Sequence, residues 1–439
     1  MAKHLNKKIG FIALAALVVV SVLFLSQCSF QSVTLAPGSS GDFVWILVSS
    51  ALVFMMVPAL ALFYGGMLRK QSMTSIMAQV LIDIVVMTLM WVICGFTLTF
   101  GSDGVLIGDL SHFFFNGMLD GGSPDSNNAL AFAVFQMMFA VITGAIIIGA
   151  CAERVRFVTI TWFLVLWGLL VYVPVAHWIW GGGFLSAWFT VLDYAGGITI
   201  HILAGVTGLA LAWFVGPRRS SSRKARAHNI PFVFFGAIML WVGWFGFNGG
   251  SGLYADGMAI RAIFTSHLAA AAGMGAWCIC QYYSTGHVNV LGMVTGAIAG
   301  LGSVTPMAGY IDAPAAFVVG IVGGILCYYA IIFMRSRKNI DDALDVFGLH
   351  GVSGFWGSIA TGIFVSGAYT PGGVCGLVYG GVDLFIGQVV ASAVVGIYGF
   401  AVTYAIIYLL SRFMAVRIPE QEESIGQDIV EHGEPSYSL

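Results

Sequence analysis

Two stretches decide how this chain is read: D-Y-A-G-G-I-T-I-H-I-L-A-G at 193–205 and D-A-L-D-V-F-G-L-H-G-V-S-G at 342–354. Each places an Asp eight residues before a His and a Gly four residues after it. The first set is Asp193, His201 and Gly205; the second is Asp342, His350 and Gly354. Both histidines fall four residues into a long apolar run. Polar side chains are costly inside such runs and usually face a cavity or one another. One His at equal depth in two separate runs is what a pseudo-two-fold axis through a pore would produce. Two unrelated histidines, each bonded to backbone carbonyls, would match the same letters.

The rest of the chain supports a membrane setting. Of 439 residues, 59% are hydrophobic and only 9% are charged. Soluble domains carry about 25% charged residues, so 18 basic and 20 acidic side chains cannot cover a water-facing globule of this size. A net charge of −2 excludes a nucleic-acid binder that works by charge. A span needs about 20 apolar residues. Eleven such runs are read, at 43–66, 72–101, 129–152, 157–178, 197–215, 230–247, 259–283, 288–304, 315–334, 346–365 and 384–413. A further run at 9–25 follows Lys3, Lys7 and Lys8, the order of a secretory signal peptide. Residues 1–30 are therefore read as a signal peptide, with an uncleaved twelfth helix as the alternative. Residues 42–413 form the membrane domain and 414–439 a short polar tail.

Basic residues mark the cytoplasmic side. Arg69, Lys70, Arg154, Arg156, Arg218, Arg219, Arg223, Lys224, Arg226, Arg335, Arg337, Lys338, Arg412 and Arg417 all fall on one side of the eleven spans, and only Arg261 on the other. The expectation is an N-terminus outside, a C-terminus inside and a plasma-membrane location. Spans one to five and six to ten would be inverted repeats, the arrangement that places a substrate path at the repeat interface in many transporters. The fold class is thus an all-α polytopic membrane protein, five plus five inverted helices and a final helix.

Three aromatic groups stand apart from general membrane filler. Span three carries F-Q-M-M-F, with Phe135 and Phe139 one turn apart. Span four ends in A-H-W-I-W-G-G-G with Trp180, and span six in G-W-F-G-F-N-G-G-S with Trp244, Phe247 and Ser251. Stacked aromatic faces at an outer mouth can hold a small cation. A headgroup belt is the plainer reading, weakened by the glycines, which a belt does not need. The seven cysteines are odd in number, and most lie in or beside apolar runs, so they read as small fillers rather than a disulfide framework. Cys278 and Cys280 lack metal spacing.

These motifs carry a resemblance. A-L-F-Y-G-G at 61–66, G-A-C-A-E-R-V-R-F at 149–157, V-P-V-A-H-W-I-W-G-G-G at 173–183, D-Y-A-G-G at 193–197, G-W-F-G-F-N-G-G-S at 243–251 and D-V-F-G-L-H-G at 345–351 resemble the ammonium transporter (Amt/MEP/Rh) family, in its Amt branch. The resemblance runs from about Asp42 to the tail. It implies a homotrimer with one pore per subunit. It implies an ammonium recruitment site at Phe139, Trp180 and Ser251, and a gate of Phe139 and Phe247. His201 and His350 would be paired pore histidines that relay a proton, and Asp193 a structural support beneath the recruitment site. No catalytic residue, metal or cofactor is implied, and no enzyme activity. The partners would be ammonium or ammonia as cargo, the lipid bilayer and a PII-type signal protein at the cytoplasmic face. Thr199-Ile200 before His201 departs from the family pattern and is read as neutral. Asp83, in span two, stands where an apolar or hydroxyl residue is expected; it would bond a neighbouring helix or line a water pocket.

The physics suits the cargo. Ammonium and potassium are close in size, but ammonium donates hydrogen bonds and can lose a proton. A charge left bare beyond an aromatic gate pays a large desolvation cost. Removal of the proton gives a neutral molecule that an apolar pore accepts, and imidazoles titrate near physiological pH. Three other readings stand beside this one: a transport-dead ammonium sensor, a Rhesus-type neutral-gas channel, and a metalloenzyme using His201, His350 and Asp193. The last lacks any H-x-x-x-H or C-x-x-C spacing.

Overall fold

The computed structural model describes residues 39–101, 104–119, 124–219 and 227–437. The signal-peptide reading of 1–30 and the basic residues Arg223, Lys224 and Arg226 lie outside these. Among the described residues ten helices are long and apolar enough to cross a membrane: α1 (Ser40–Met67), α2 (Lys70–Phe100), α3 (Asn127–Cys151), α4 (Phe157–Trp188), α5 (Gly197–Val215), α6 (Ile230–Gly250), α7 (Gly257–Thr285), α8 (Val290–Met307), α9 (Ala313–Ser336) and α11 (Val382–Phe413). The eleventh, α10, runs Phe347–Gly351 and continues as Val352–Phe364. It is less apolar than the others because Gly, Ser, Thr and His crowd it. α4 ends its first part at Trp180 and resumes at Phe184.

The helix starts are written in the sequence. Asn229, Asp256, Asn289 and Asp312 each cap a helix by accepting from backbone amides of its first turn. Such caps supply partners for amides that have none within the helix. Close packing then rests on small residues, because lipid offers no hydrophobic drive between spans. A Cβ on Gly243 of α6 would lie 2.2 Å from Met56 Cγ of α1, and one on Gly320 of α9 would lie 2.4 Å from Ala269 O of α7.

The inverted repeat shows in which spans meet. α1 packs along α6, and α5 crosses α10, so each pair joins equivalent spans of the two halves. Both α5 and α10 begin with a π-turn, Gly197–Ile202 and Phe347–Gly351, that carries the histidine. π-turns are rare and recur at functional sites. The glycine four residues after each histidine makes the crossing. A Cβ on Gly205 would lie 2.2 Å from Gly351 Cα, and one on Gly354 would lie 2.6 Å from Ile202 N and 2.9 Å from His201 Cβ.

The tail is docked rather than trailing. Val416 O accepts from Arg156 N, and Ile418 N donates to Arg154 O. A short helix, α12 (Glu420–Ile425), follows. Glu423 is buried and accepts from Arg417 Nη2 at 2.8 Å and from Arg219 N at 2.7 Å. Beneath it Glu153, also buried, meets Arg69 at 2.8 Å and Arg218 at 2.7 Å. Arg218 also binds Asp341 at 2.8 Å. Burial pulls the Arg218 guanidinium down, but the Asp341 and Glu153 carboxylates outweigh it and hold it above its ordinary range. Burial likewise pushes Asp341 up, and Arg218 overturns this, leaving the carboxyl well below the usual range. The arginines of the tail-side loops therefore do more than set topology: they pin loops and tail into one plate.

Candidate functional site

The α5 turn is built around one carboxylate. Asp193 Oδ1 accepts from the amides of Gly196 at 3.0 Å and Gly197 at 2.6 Å. Its Oδ2 accepts from the amides of Ile198 at 3.0 Å and Thr199 at 2.9 Å, and from the Thr199 hydroxyl at 3.0 Å. Gly196 sits at φ 108°, a left-handed conformation that glycine adopts without strain. Burial pushes the Asp193 carboxyl up, and the Thr199 and Gly197 donors pull it back. The backbone carbonyl of the same residue accepts the Trp180 indole N–H at 2.8 Å. Thr199 is thus no neutral departure, since it supplies two of the five bonds.

The aromatic residues form a column on this base. Trp180 meets Phe139 edge-on, with centroids 6.1 Å apart at 83°. Phe139 and Phe247 are 4.5 Å apart at 40°. Phe247 lies 6.2 Å from the His201 ring. His201 and His350 stack at 5.3 Å and 12°, with their Nδ1 atoms 3.2 Å apart. At that separation one Nδ1 donates and the other accepts. Ser251 is half-buried beside the column, its hydroxyl donating to Phe247 O at 2.8 Å. Trp180, Phe139, Phe247, His201 and His350 are thus brought into one file, with Ser251 beside it, Asp193 at its base, and Trp180 and Ser251 at its wetter end.

Trp244 adds what the letters did not assign. It stacks on His201 at 5.5 Å and 19°, and its indole donates to Thr305 at 2.9 Å. Its sequence position groups it with Phe247 and Ser251 at the mouth, but one helical turn carries it inward. With Met56, Ile142, Leu240, Phe247 and the two histidines it lines a cavity of ≈ 10 Å³, about the room one water needs. His201 lines this cavity, and its Nε2 has no hydrogen-bond partner. On the tail side a wider cavity of ≈ 1260 Å³ is bordered by Arg218, Arg335, Asp341, Asp342 and Asp345.

The Ammonium Transporter Family profile matches residues 44–437, which spans nearly all of the described chain. The chain belongs to the ammonium transporter family. An ammonium transporter of Bacillus subtilis is 42% identical over 399 residues, covering 90% of this chain and 98% of the relative. The crystal structure of Candida albicans Mep2 superposes with a TM-score of 0.81 at 32% identity, covering 88% of both chains. A structure titled Sensor Amt Protein gives a TM-score of 0.82 at 26% identity, covering 89% of this chain and 98% of the other. This family member is a multi-pass membrane protein for ammonium transport. Among its described residues no cluster of His, Cys, Asp and Glu has the make-up of a metal site.

Asp83 departs from one of its two readings. It is fully buried in α2, and neither carboxylate oxygen meets a donor. It therefore does not bond a neighbouring helix.

Proposed function

We propose that this transporter captures ammonium at Trp180, Phe139 and Ser251, that the proton it loses at the Phe139–Phe247 gate is accepted and relayed by the His201–His350 pair, and that ammonia passes along the same two histidines. The observation that carries this reading is the unbroken file of ring contacts from Trp180 to the imidazole pair. No charged side chain borders the small cavity at its centre. A cation is attracted to the aromatic faces at the mouth, at about 0.5–2 kcal/mol per ring. Beyond the gate nothing replaces its lost hydration, so the charged form is stopped. The neutral form needs only one acceptor or donor at a time, which the shared imidazole pair and the free Nε2 supply. Potassium has no proton to lose and is refused.

The tail-side plate of arginines supports an orientation with the tail in the cytoplasm of a plasma membrane. The wide outward faces of α7, α9 and α11, with residues such as Phe264, Phe333 and Ile397 exposed, fit lipid and a homotrimer of this chain. A PII-type signal protein at the tail side remains part of the proposal by family resemblance.

Uptake of labelled methylammonium into vesicles containing the purified protein, with membrane current recorded, tests transport directly. Trp180→Leu should raise the half-saturating ammonium concentration about 2- to 30-fold and relax discrimination against methylated cations. Unchanged saturation curves would remove Trp180 from the recruitment site. A second reading, ammonium sensing without transport, is favoured by the likeness to the Sensor Amt Protein structure and by the docked tail. Wild-type vesicles that bind ammonium and take up none would establish it.

A further inference from the structure

A line of polar side chains runs up one face of α2, away from the pore. Ser75, Gln79 and Asp83 are spaced four residues apart, so they share a helix face. All three are buried, at 1%, 2% and 0% exposure. At the foot of the line the tail is attached. Ser75 N donates to Asp428 Oδ1 at 2.8 Å, and Ser75 Oγ donates to Gln427 Oε1 at 3.5 Å. Gln427 Nε2 in turn donates to Val155 O at 2.7 Å. One turn up, Gln79 Nε2 donates to Ser75 Oγ at 3.2 Å. Every donor in the line points toward the tail.

The top of the line lacks a donor. Gln79 Oε1 and both oxygens of Asp83 are buried acceptors without a donor. Space for the carboxyl exists because residue 144 of α3 is glycine; a Cβ there would lie 2.0 Å from Asp83 Oδ1. Asp83 makes no hydrogen bond or ion pair with any described side chain. Its neighbours are Met87 on α2, Gly144 on α3 and, four residues below, Gln79. Titratable groups at the foot of the line are Asp428, which also accepts from Ser436, Glu431, which pairs with Arg156 at 3.0 Å, and Glu153, which accepts from Ser72 Oγ at 3.2 Å. An isolated carboxylate in such a place costs far more than a neutral acid. A proton on Asp83 supplies the missing donor, and its hydroxyl can bond Gln79 Oε1.

We propose that Asp83 is a proton-binding site off the ammonium path, coupled through Gln79 and Ser75 to docking of the tail. The coupling is a choice made by one amide group. With Asp83 neutral, Gln79 accepts from the acid and donates downward to Ser75, whose hydroxyl is then oriented to Gln427. With Asp83 ionised, the carboxylate takes the Gln79 NH₂ as its donor. Ser75 Oγ then loses its donor from above, and the tail loses an oriented contact. Because such linkage is reciprocal, releasing the tail also favours loss of the proton. The proton exchanges with water on the tail side, and no other chemistry is required.

The test uses the full-length purified protein. Infrared difference spectra of wild type and Asp83→Asn at neutral pH should show one carboxylic-acid carbonyl band that the variant lacks. Hydrogen exchange of backbone amides at 420–434, corrected for intrinsic pH dependence, should become about tenfold faster in the wild type at alkaline pH as docking opens. Asp83→Asn keeps a donor toward Gln79 permanently, so its tail should stay protected at both pH values. Gln79→Leu should keep the carbonyl band and lose the dependence of tail exchange on pH. Absence of the band in wild type means that Asp83 is ionised and overturns the site. A pH response of the tail that persists in Asp83→Asn comes from Asp428, Glu431 or other tail groups and overturns the coupling, as does a wild-type tail with no response.

Discussion

The two histidine turns share one spacing and differ in how their aspartates are held. Asp193 is saturated by four amides and a hydroxyl. Asp342 accepts from Phe347 N at 2.7 Å through one oxygen, and its other oxygen has no partner. The reason lies in the intervening letters. Where the first turn has Gly196 and Thr199, the second has Asp345 and Gly348. Asp345 cannot help its neighbour, because it repels it and is itself bound by Arg335. Burial and Asp345 together push the Asp342 carboxyl up to about 7, with the Phe347 amide and Arg154 pulling against them. Equivalent positions in a duplicated fold have thus become a fixed brace at one end and a titrating group at the other.

The largest expected effect separates these roles. Asp193→Ala leaves four amides and a hydroxyl unpartnered, at about 1–3 kcal/mol for each that stays dry. It should abolish transport and lower the thermal midpoint strongly, whereas Asp342→Ala, which orphans one amide, should fold with a modest loss. Thermal scans of both purified variants, with uptake, check this; equal losses would erase the distinction. The histidines give the next comparison. His201 faces the gate side, stacked between Trp244 and His350. His201→Asp should retain some flux, while His201→Ala should end the selection of ammonium over potassium. Currents carried by the two ions in vesicles decide it.

Asp342→Asn sharpens the comparison through pH. A carboxyl raised from 3.8 to about 7 in the folded protein favours folding while protonated and loses that advantage as pH rises from 4 through 7. The Asn variant has no such loss. It should therefore gain on wild type between pH 5 and 8, by roughly 2–3 kcal/mol for about two units at about 1.4 kcal/mol per unit. Stability of the two proteins measured across that range would show a flat difference if Asp342 does not titrate. The smallest effect belongs to Thr199→Val, which deletes one of five bonds to Asp193 and should cost on the order of 1 kcal/mol. A fall of a few degrees in the thermal midpoint, with uptake retained, is the expected reading.

Much of this was visible in the letters, and the limits have physical causes. The spans follow from runs of apolar residues, and even α10 was readable because its histidine and glycines repeat those of α5. The file from Trp180 to His350 could be named residue by residue through the family motifs. The position of Trp244 is not legible in the letters because a helix rotates successive residues through the pore wall, and only the fold says which face looks inward. Thr199 reads as neutral because its contact is to a carboxylate six positions earlier, through a π-turn that no periodicity announces. The docked tail was invisible for another reason. Its contacts pair acidic residues at 422–431 with arginines and serines hundreds of positions away.

The glycine crossing of α5 and α10 has a mechanical meaning. Gly205 against Gly351, and Gly354 against Ile202, bring main chain onto main chain, with no side chain able to swing aside. The imidazoles hang from this joint and do not hold it together. Their separation is therefore set by the backbone, as the gap of a vise is set by its screw. Change one ring, or charge it, and the jaws stay where they are, so the bore of the pore and the chemistry of its lining can vary independently.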